Sequence, residues 1–215
     1  MTAATTPPAR TGRPAKRVAI DRAARVVFGR EGYIRASVDS IAAEAHVSKR
    51  TIYNHYQDKE QLLLCVLKES THAVAEHQEE LIDRHLASPV DLEAELVALG
   101  CALATPQSGF KEHFALVRVI FAEASRLPGE VTDSWRTEGP GRTQARLARH
   151  FATLSAAGRL RTDEPQEAAA HFTQLVTSEA YERSFHGALP LPADELEALV
   201  TAGVRAFLRL YGARS

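Results

Sequence analysis

The sequence predicts an all-α protein, and three observations predict it. Apolar residues recur three and four apart in one segment after another. No stretch sustains the period-two alternation with β-branched residues that a strand needs. Nothing repeats at a fixed period, so a helical solenoid is not indicated. At 215 residues and 45% hydrophobic, 25% charged content, the chain can bury a real core in one or two domains. Collagen-like, disulfide-rich and wholly disordered classes are excluded by the same figures.

The elements follow in order. Residues 1–16 are rich in Thr, Ala and Pro with scattered positive charge and read as a flexible basic arm. From Arg17, the residues Ile20, Ala23, Ala24, Val27 and Phe28 make one helical face, stopped by Gly32. Ser37 is placed to cap a second helix bearing Val38, Ile41, Ala42 and Ala45. His46-Val47 makes a tight break. Ser48 then caps a third short helix, Lys49 to about Tyr56, and Asp58 a fourth that runs to about Arg84. Pro89 and Asp91 open a segment with Leu92, Leu96, Leu99 and Leu103, which Pro106 ends. Phe110 to Leu127 is helical up to Pro128-Gly129, and residues 130–138 form a short helix interrupted by Gly139-Pro140-Gly141. Residues 142–157, 165–186 and 193–211 are the last three helices.

Charge is unevenly distributed. The chain carries 26 Lys and Arg against 27 Asp and Glu, a net −1. Residues 1–60 hold 11 basic and 6 acidic residues, a net +5, and the remainder is −6. A basic head on an acidic body suggests that one part meets polyanions and the other does something else. Cys65 and Cys101 have no CxxC spacing and read as buried free thiols of a reducing compartment. No signal peptide and no membrane-length apolar run is visible, so a cytoplasmic protein with no membrane partner is expected.

Three short helices with a break of a few residues between the second and third read as a helix-turn-helix. Ile41, Ala42 and Ala45 face inward, Val47 fills the turn, and Ile52 and Tyr56 anchor the third helix. Small Ala42 and Ala45 let helices two and three approach closely. The third helix keeps an outer face of Lys49, Arg50, Tyr53 and Asn54. That face is basic, polar and partly aromatic, as a major-groove reader requires.

Residues 28–63, FGREGYIRASVDSIAAEAHVSKRTIYNHYQDKEQLL, resemble the DNA-binding domain of TetR-type transcriptional regulators. The resemblance rests on Phe28, Gly32-Tyr33, Ser37-Val38, Ile41-Ala42, Ala45, Val47-Ser48, Thr51, Tyr53, His55-Tyr56, Lys59-Glu60 and Leu62, in order and without a gap. The sequence departs from the family pattern at His46, where Gly is common; His is among the residues that tolerate a left-handed turn. It departs again at Tyr56, where Phe is commoner, and at Arg50, where many relatives carry a small residue. Residues 114–131 and 158–176 resemble, less strongly, the regulatory domain of the AefR-like branch.

The resemblance and the charge logic together imply roles. Phosphate contacts would come from Ser37 and Ser48 at helix N-termini, from Thr51, Tyr53 and His55, and from Lys59. Base-edge contacts would come from Lys49 and Arg50, with Asn54 as a further candidate, because Arg and Lys reach guanine and Asn pairs with adenine. Arg13, Lys16 and Arg17 would track the DNA backbone or enter the minor groove. The resemblance implies the fold as a whole: a helix-turn-helix domain at 17–61 and a helical ligand-binding and dimerisation domain at 62–215. The expected partners are a double-stranded DNA operator, an unknown small-molecule effector and a second copy of the chain. A homodimer would pair the stripes Ala168, Phe172, Leu175, Val176, Glu179 and Leu196, Leu199, Val200, Gly203, Val204, Phe207. A ligand cavity between regulatory helices would draw on Phe110, Phe114, Val117, Phe121, Trp135, Phe151, Phe172 and Tyr181, with polar candidates His113, Arg118 and His171. Helix four is the expected lever between ligand and DNA.

Rival classes fare poorly. The sequence lacks GxSxG, HExxH, P-loop and GxGxxG motifs, so no enzyme and no cofactor is indicated. His72 and His77 lie five apart on different helix faces, and no metal site is expected. Glu123 with Arg126 and Glu179 with Arg183 read as surface helix pairs. A helical protein–protein adaptor without DNA binding is the alternative, disfavoured by the basic face of the third helix.

Overall fold

The computed structural model describes residues 13–213. Those residues form ten α-helices joined by short turns, with no β-strand among them and a single isolated bridge between Leu160 and Gly212. The arm expected at 1–16 lies outside the described residues up to position 12. Its last four residues are instead the first turn of α1, Arg13–Arg35. Pro14 fits there, because the first turn has no intrahelical N–H bond to lose.

The next three helices form as their caps dictate. In α2, Val38–Glu44, the Ser37 hydroxyl accepts from the Ser40 N–H, and the Ser40 side chain answers on the Ser37 N–H. His46 turns the chain at φ 52°, the left-handed conformation that Gly more often supplies. Ser48 caps α3, Lys49–Tyr53, which ends earlier than its sequence pattern indicates. Asp58 caps α4, Lys59–Leu86, through the Gln61 N–H at 2.7 Å.

The helical body follows: α5 (Leu92–Ala104), α6 (Lys111–Glu123), α7 (Gly129–Arg136), α8 (Arg142–Ala156), α9 (Pro165–Arg183) and α10 (Ala193–Tyr211). One expected interruption is absent. Residues Thr137–Gly141 are a π-helical turn that joins α7 to α8 without a break. Pro140 lacks an N–H and its ring needs room, and the wider π turn supplies both allowances.

Two hydrophobic cores result. The head core joins Ile20, Val27 and Phe28 of α1 to Ile41 of α2, Ile52 of α3 and Leu62, Val66 and Leu67 of α4. Leu116 and Ile120 of α6 and Val131 of α7 complete it. The body core joins Leu81, Ile82 and Leu86 of α4 to Leu96 and Leu99 of α5, Leu147 and Phe151 of α8, Phe172 and Val176 of α9, and Val204 and Phe207 of α10. Helix α4 runs through both.

The α9–α10 stripes correct an expectation. Ala168, Phe172, Val176, Val200, Gly203, Val204 and Phe207 are buried within the chain itself. A Cβ on Gly203 would stand 2.1 Å from the Leu175 carbonyl oxygen, so the two helices touch backbone to backbone there. Only Leu175 of those apolar residues is exposed, with Leu196 and Leu199 half-buried. Cys65 and Cys101 are free thiols, half-buried rather than buried.

One polar contact fixes α3 in the head. The Tyr56 hydroxyl donates to the buried Asp21 carboxylate, which Arg17 approaches at 3.6 Å. Burial raises the Asp21 pKa, and Tyr56 and Arg17 offset part of that cost. The tyrosine in place of the commoner phenylalanine is therefore the partner of a buried acid. Tyr56→Phe should lower stability by about 1–3 kcal/mol, the usual cost of stranding a buried polar group. Urea unfolding checks this, and an unchanged midpoint would show that the pair contributes nothing.

Candidate DNA interface and effector cavity

Lys49, Arg50, Tyr53 and Asn54 are exposed on and just after α3, with Tyr53 showing 48% of its surface. Thr51 and His55 are half-buried beside them. The two capping serines lie at the neighbouring helix starts, Ser37 before α2 and Ser48 before α3. Some of these groups have internal partners. Lys49 Nζ lies 2.9 Å from Asp39 Oδ2, and the Thr51 and Ser48 hydroxyls are 2.8 Å apart. The ion pair is exposed, and such pairs contribute at most about 1 kcal/mol, so a stronger anion can displace Asp39.

Lys59 is placed differently. Its ammonium donates to the Tyr33 carbonyl at 2.8 Å and the Ala36 carbonyl at 3.1 Å, and sits 4.4 Å from the Tyr33 ring centroid. It closes the C-terminal end of α1, where carbonyls lack intrahelical donors. Arg17, paired with Asp21, is likewise engaged within the head.

A second feature lies between the two cores. A cavity of about 290 Å³ opens among α4 to α9. Helix α4 contributes Thr71, Val74 and Gln78, and α6 contributes His113, Phe114, Val117 and Phe121. Trp135, Gly139, Pro140, Thr143 and Gln144 come from α7, the π turn and α8. Thr173, Gln174, Thr177, Ser178 and Tyr181 come from α9, with His186 just beyond it and Leu103 from α5.

The expected lining residues divide. His113, Phe114, Val117, Phe121, Trp135 and Tyr181 stand in the wall. Phe151 and Phe172 do not: they are fully buried in the body core, 5.6 Å apart edge to face, and both rings pack on Phe207. Three helices meeting there need large rings to fill the space. His171 is exposed and hydrogen-bonds Tyr211. Phe110 packs beside His77 at 5.6 Å, and Arg118 donates to the His186 carbonyl at 3.2 Å.

The wall also holds residues that sequence reasoning missed, chiefly Thr71, Gln78, Thr143, Thr173, Thr177 and His186. A signal for some of them exists: Thr71 and Gln78, and likewise Thr173 and Thr177, put polar groups on an inward helical face. His186 gives no such signal. It is carried by a turn in which Phe185, His186 and Gly187 all have positive φ, at 50°, 52° and 77°. Two non-glycine residues in that region cost on the order of 1–3 kcal/mol each. The turn aims the imidazole at Phe121, where the rings stack at 4.5 Å and 22°.

Electrostatics in the wall are mild. Burial holds His113 neutral, its pKa lowered to about 4, with Nδ1 3.2 Å from the Ser70 hydroxyl. The Ser70 hydroxyl also lies 3.1 Å from the Leu67 carbonyl; with its proton on that carbonyl, Nδ1 is the donor to Ser70 and Nε2 an acceptor. Burial also pushes the Tyr181 phenol up to about 12, and that hydroxyl donates to the Leu103 carbonyl.

Two sets of contacts tie the cavity walls to the rest. Helix α8 is strapped to α4 by Arg142 on Glu79, by Arg146 and His150 on Asp83, and by Thr143 on Gln78. Helix α6 grips the head: Glu123 accepts the Ile34 N–H at 3.1 Å, and a Cβ on Gly32 (φ 79°) would strike the same carboxylate. Glu123 is thus a tertiary contact rather than half of a surface pair with Arg126. Glu179 and Arg183 do pair, at 3.6 Å.

This is the geometry of a DNA-reading head on a body able to enclose a small molecule. Comparison with known proteins agrees. Residues 20–66 match the model of bacterial regulatory proteins of the tetR family, and residues 95–213 match that of the AefR-like transcriptional repressor C-terminal domain. A crystal structure described as a TetR-family transcriptional regulator from Mesorhizobium loti is 31% identical with a TM-score of 0.81, over 95% of this chain and all of that one. The flavonoid-responsive regulator FrrA is 27% identical, TM-score 0.67, over 94% of this chain and all of that one. A transcriptional regulator from Saccharomonospora viridis, solved in complex with choline, shares the fold at 20% identity and TM-score 0.69, over 94% and 100% of the two chains. No curated protein matches the sequence significantly. The chain belongs to the TetR family of transcriptional regulators, which are typically ligand-responsive repressors and not enzymes.

Lys59→Met should lower the thermal midpoint, because Tyr33 and Ala36 lose a donor; a variant as stable as the parent but weaker on DNA would make Lys59 a phosphate contact after all. The Asp83 carboxylate, held below its ordinary 3.8 at about 2 by Arg146 and then His150, stabilises the fold at pH above its unfolded value. That stabilisation is lost as pH falls from about 4 towards 2. Asp83→Asn should therefore reduce stability at pH 7 and progressively less at pH 3. A pH-independent difference would exclude this linkage.

Proposed function

We propose that this protein is a cytoplasmic repressor that binds a pseudo-palindromic operator as a homodimer and leaves it when a small molecule fills the cavity. The observation that carries the reading is the course of α4. Leu62 to Leu67 anchor it in the head core, Thr71 to Gln78 form a cavity wall, and Leu81 to Leu86 lie in the body core. A molecule held against that wall acts on the helix that aims the head. Glu123 at the end of α6 is a second route, since the same helix bears Phe114, Val117 and Phe121 in the cavity.

In this reading Lys49 and Arg50 read base edges, with Asn54, while Ser37, Ser48, Thr51, Tyr53 and His55 hold phosphates. Dimerisation uses the outer faces of α9 and α10, where Leu175 and Leu210 are exposed, because the inner faces are spent within the chain. Apo protein sets two heads for successive major grooves. The effector favours another spacing, and it can shift the balance only by binding the two states unequally. The related regulators differ in the small molecules associated with them: FrrA is flavonoid-responsive, and the Saccharomonospora viridis regulator was solved in complex with choline.

A mobility-shift assay with the protein's own upstream region tests this. Affinity should fall with salt at a log–log slope of about −0.9 per phosphate neutralised. Arg50→Ala should relax preference at one base position and cost about 1–3 kcal/mol there. Absence of any shift would favour the adaptor reading. A uniform loss across sequences would make Arg50 a phosphate contact.

A further inference from the structure

We propose that the cavity takes an uncharged, hydroxylated aromatic compound, and that Thr71 on α4 is the hydrogen-bonding anchor that holds it. The proposal rests on the regulator reading above and names the ligand class of its effector site.

The first observation is the absence of charge. No Asp, Glu, Lys or Arg stands among the described residues of the wall. A carboxylate entering it would leave its hydration without finding a cation. Arg118, on the adjoining helix, is directed to the His186 carbonyl instead. His113 offers no positive charge at neutral pH, because burial keeps its ring unprotonated. A quaternary ammonium fares no better. It would find no acid among the described residues of the wall, and of the ring faces that could hold it one of Phe121 is already stacked on His186. Tyr181 also stacks with His186, at 6.1 Å and 15°. What remains is apolar and aromatic surface with neutral hydroxyl and amide groups. The volume, about 290 Å³, lies near the lower end for small-molecule sites.

The second observation is independent of the first. Four threonines stand in the wall, and three of them are satisfied. Thr173 donates to the Ala169 carbonyl and Thr177 to the Thr173 carbonyl, each one turn back along α9, while Thr143 donates to Gln78. Such back-bonding is the ordinary resort of a helical threonine. Thr71 does not use it. Its side chain is 2% exposed, and its hydroxyl is buried with no hydrogen-bond partner. Buried hydroxyls without partners are rare; as the side chain stands this one has no surface open to the cavity, and a turn about χ1 to the other rotamer that a helical threonine adopts lets a ligand hydroxyl or carbonyl supply the missing bond. Thr71 is also one turn from Leu67 of the head core, so the anchor lies on the segment of α4 nearest the head.

Calorimetric titration of the full-length protein tests the proposal. The probes, titrated below neutral pH, are naringenin (hydroxylated and neutral there), flavone (the related unsubstituted skeleton), choline and decanoate. Naringenin should bind saturably, flavone about tenfold more weakly, and choline and decanoate not at all. Thr71→Val keeps the shape and removes the hydroxyl; it should bring naringenin down to the affinity of flavone and leave operator binding intact. Saturable binding of choline or decanoate, binding of no probe, or equal naringenin affinity in parent and Thr71→Val would each overturn the proposal. If operator binding persists in those cases, the regulator reading stands. If naringenin binds as expected but no operator does, that reading fails while the ligand class holds.

Discussion

Helix α4 has to satisfy two cores at once, and the rest of the molecule is arranged around that demand. Its first two turns close the head, where Asp58 starts it and Leu62, Leu63, Val66 and Leu67 pack under the short helices. Its last turns belong to the body, with Leu81, Ile82 and Leu86. The middle, from Thr71 to Gln78, belongs to neither core and stands against open space. The space that opens is the cavity. A continuous helix of 28 residues transmits displacement along its axis, since its backbone bonds resist local bending. The salt links from α8, at Glu79 and Asp83, tie α4 to the body.

The head depends on a few polar closures as much as on its apolar residues. Ser37, Ser48 and Asp58 each cap the helix that follows, and Lys59 closes α1 from the start of α4. A five-residue helix such as α3 cannot stand alone. It is held by Ile52 and by the Tyr56–Asp21 contact, which leaves its outer face free of structural duty. Phe151, Phe172 and Phe207 serve the same end in the body, making α8, α9 and α10 one rigid unit.

The elements that could be read from the sequence are those with local causes. Caps at Ser37, Ser48, Asp58 and Asp91 mark helix starts because the side chain bonds its own backbone. Helix α10 is legible to the residue from its apolar period. The misreadings concern long-range placement. Periodicity puts Phe151 and Phe172 on an inward face but does not say whether that face meets a neighbour or an opening. Lys59 is a lysine at a helix start, and only the fold brings the end of α1 to it. The π turn hides because Gly-Pro-Gly is the pattern of a break. His186 is invisible for a similar reason: a strained turn, rather than any periodic pattern, carries it to Phe121.

The chain contains one tryptophan, and it lies in the cavity wall. Trp135 is half-buried, edge to face with Phe121 and close to Gly139 of the π turn. Every photon of indole emission from this protein therefore originates beside the cavity. Occupancy changes the polarity around that ring, so the unlabelled molecule reports on its own interior through a single, unambiguous fluorophore.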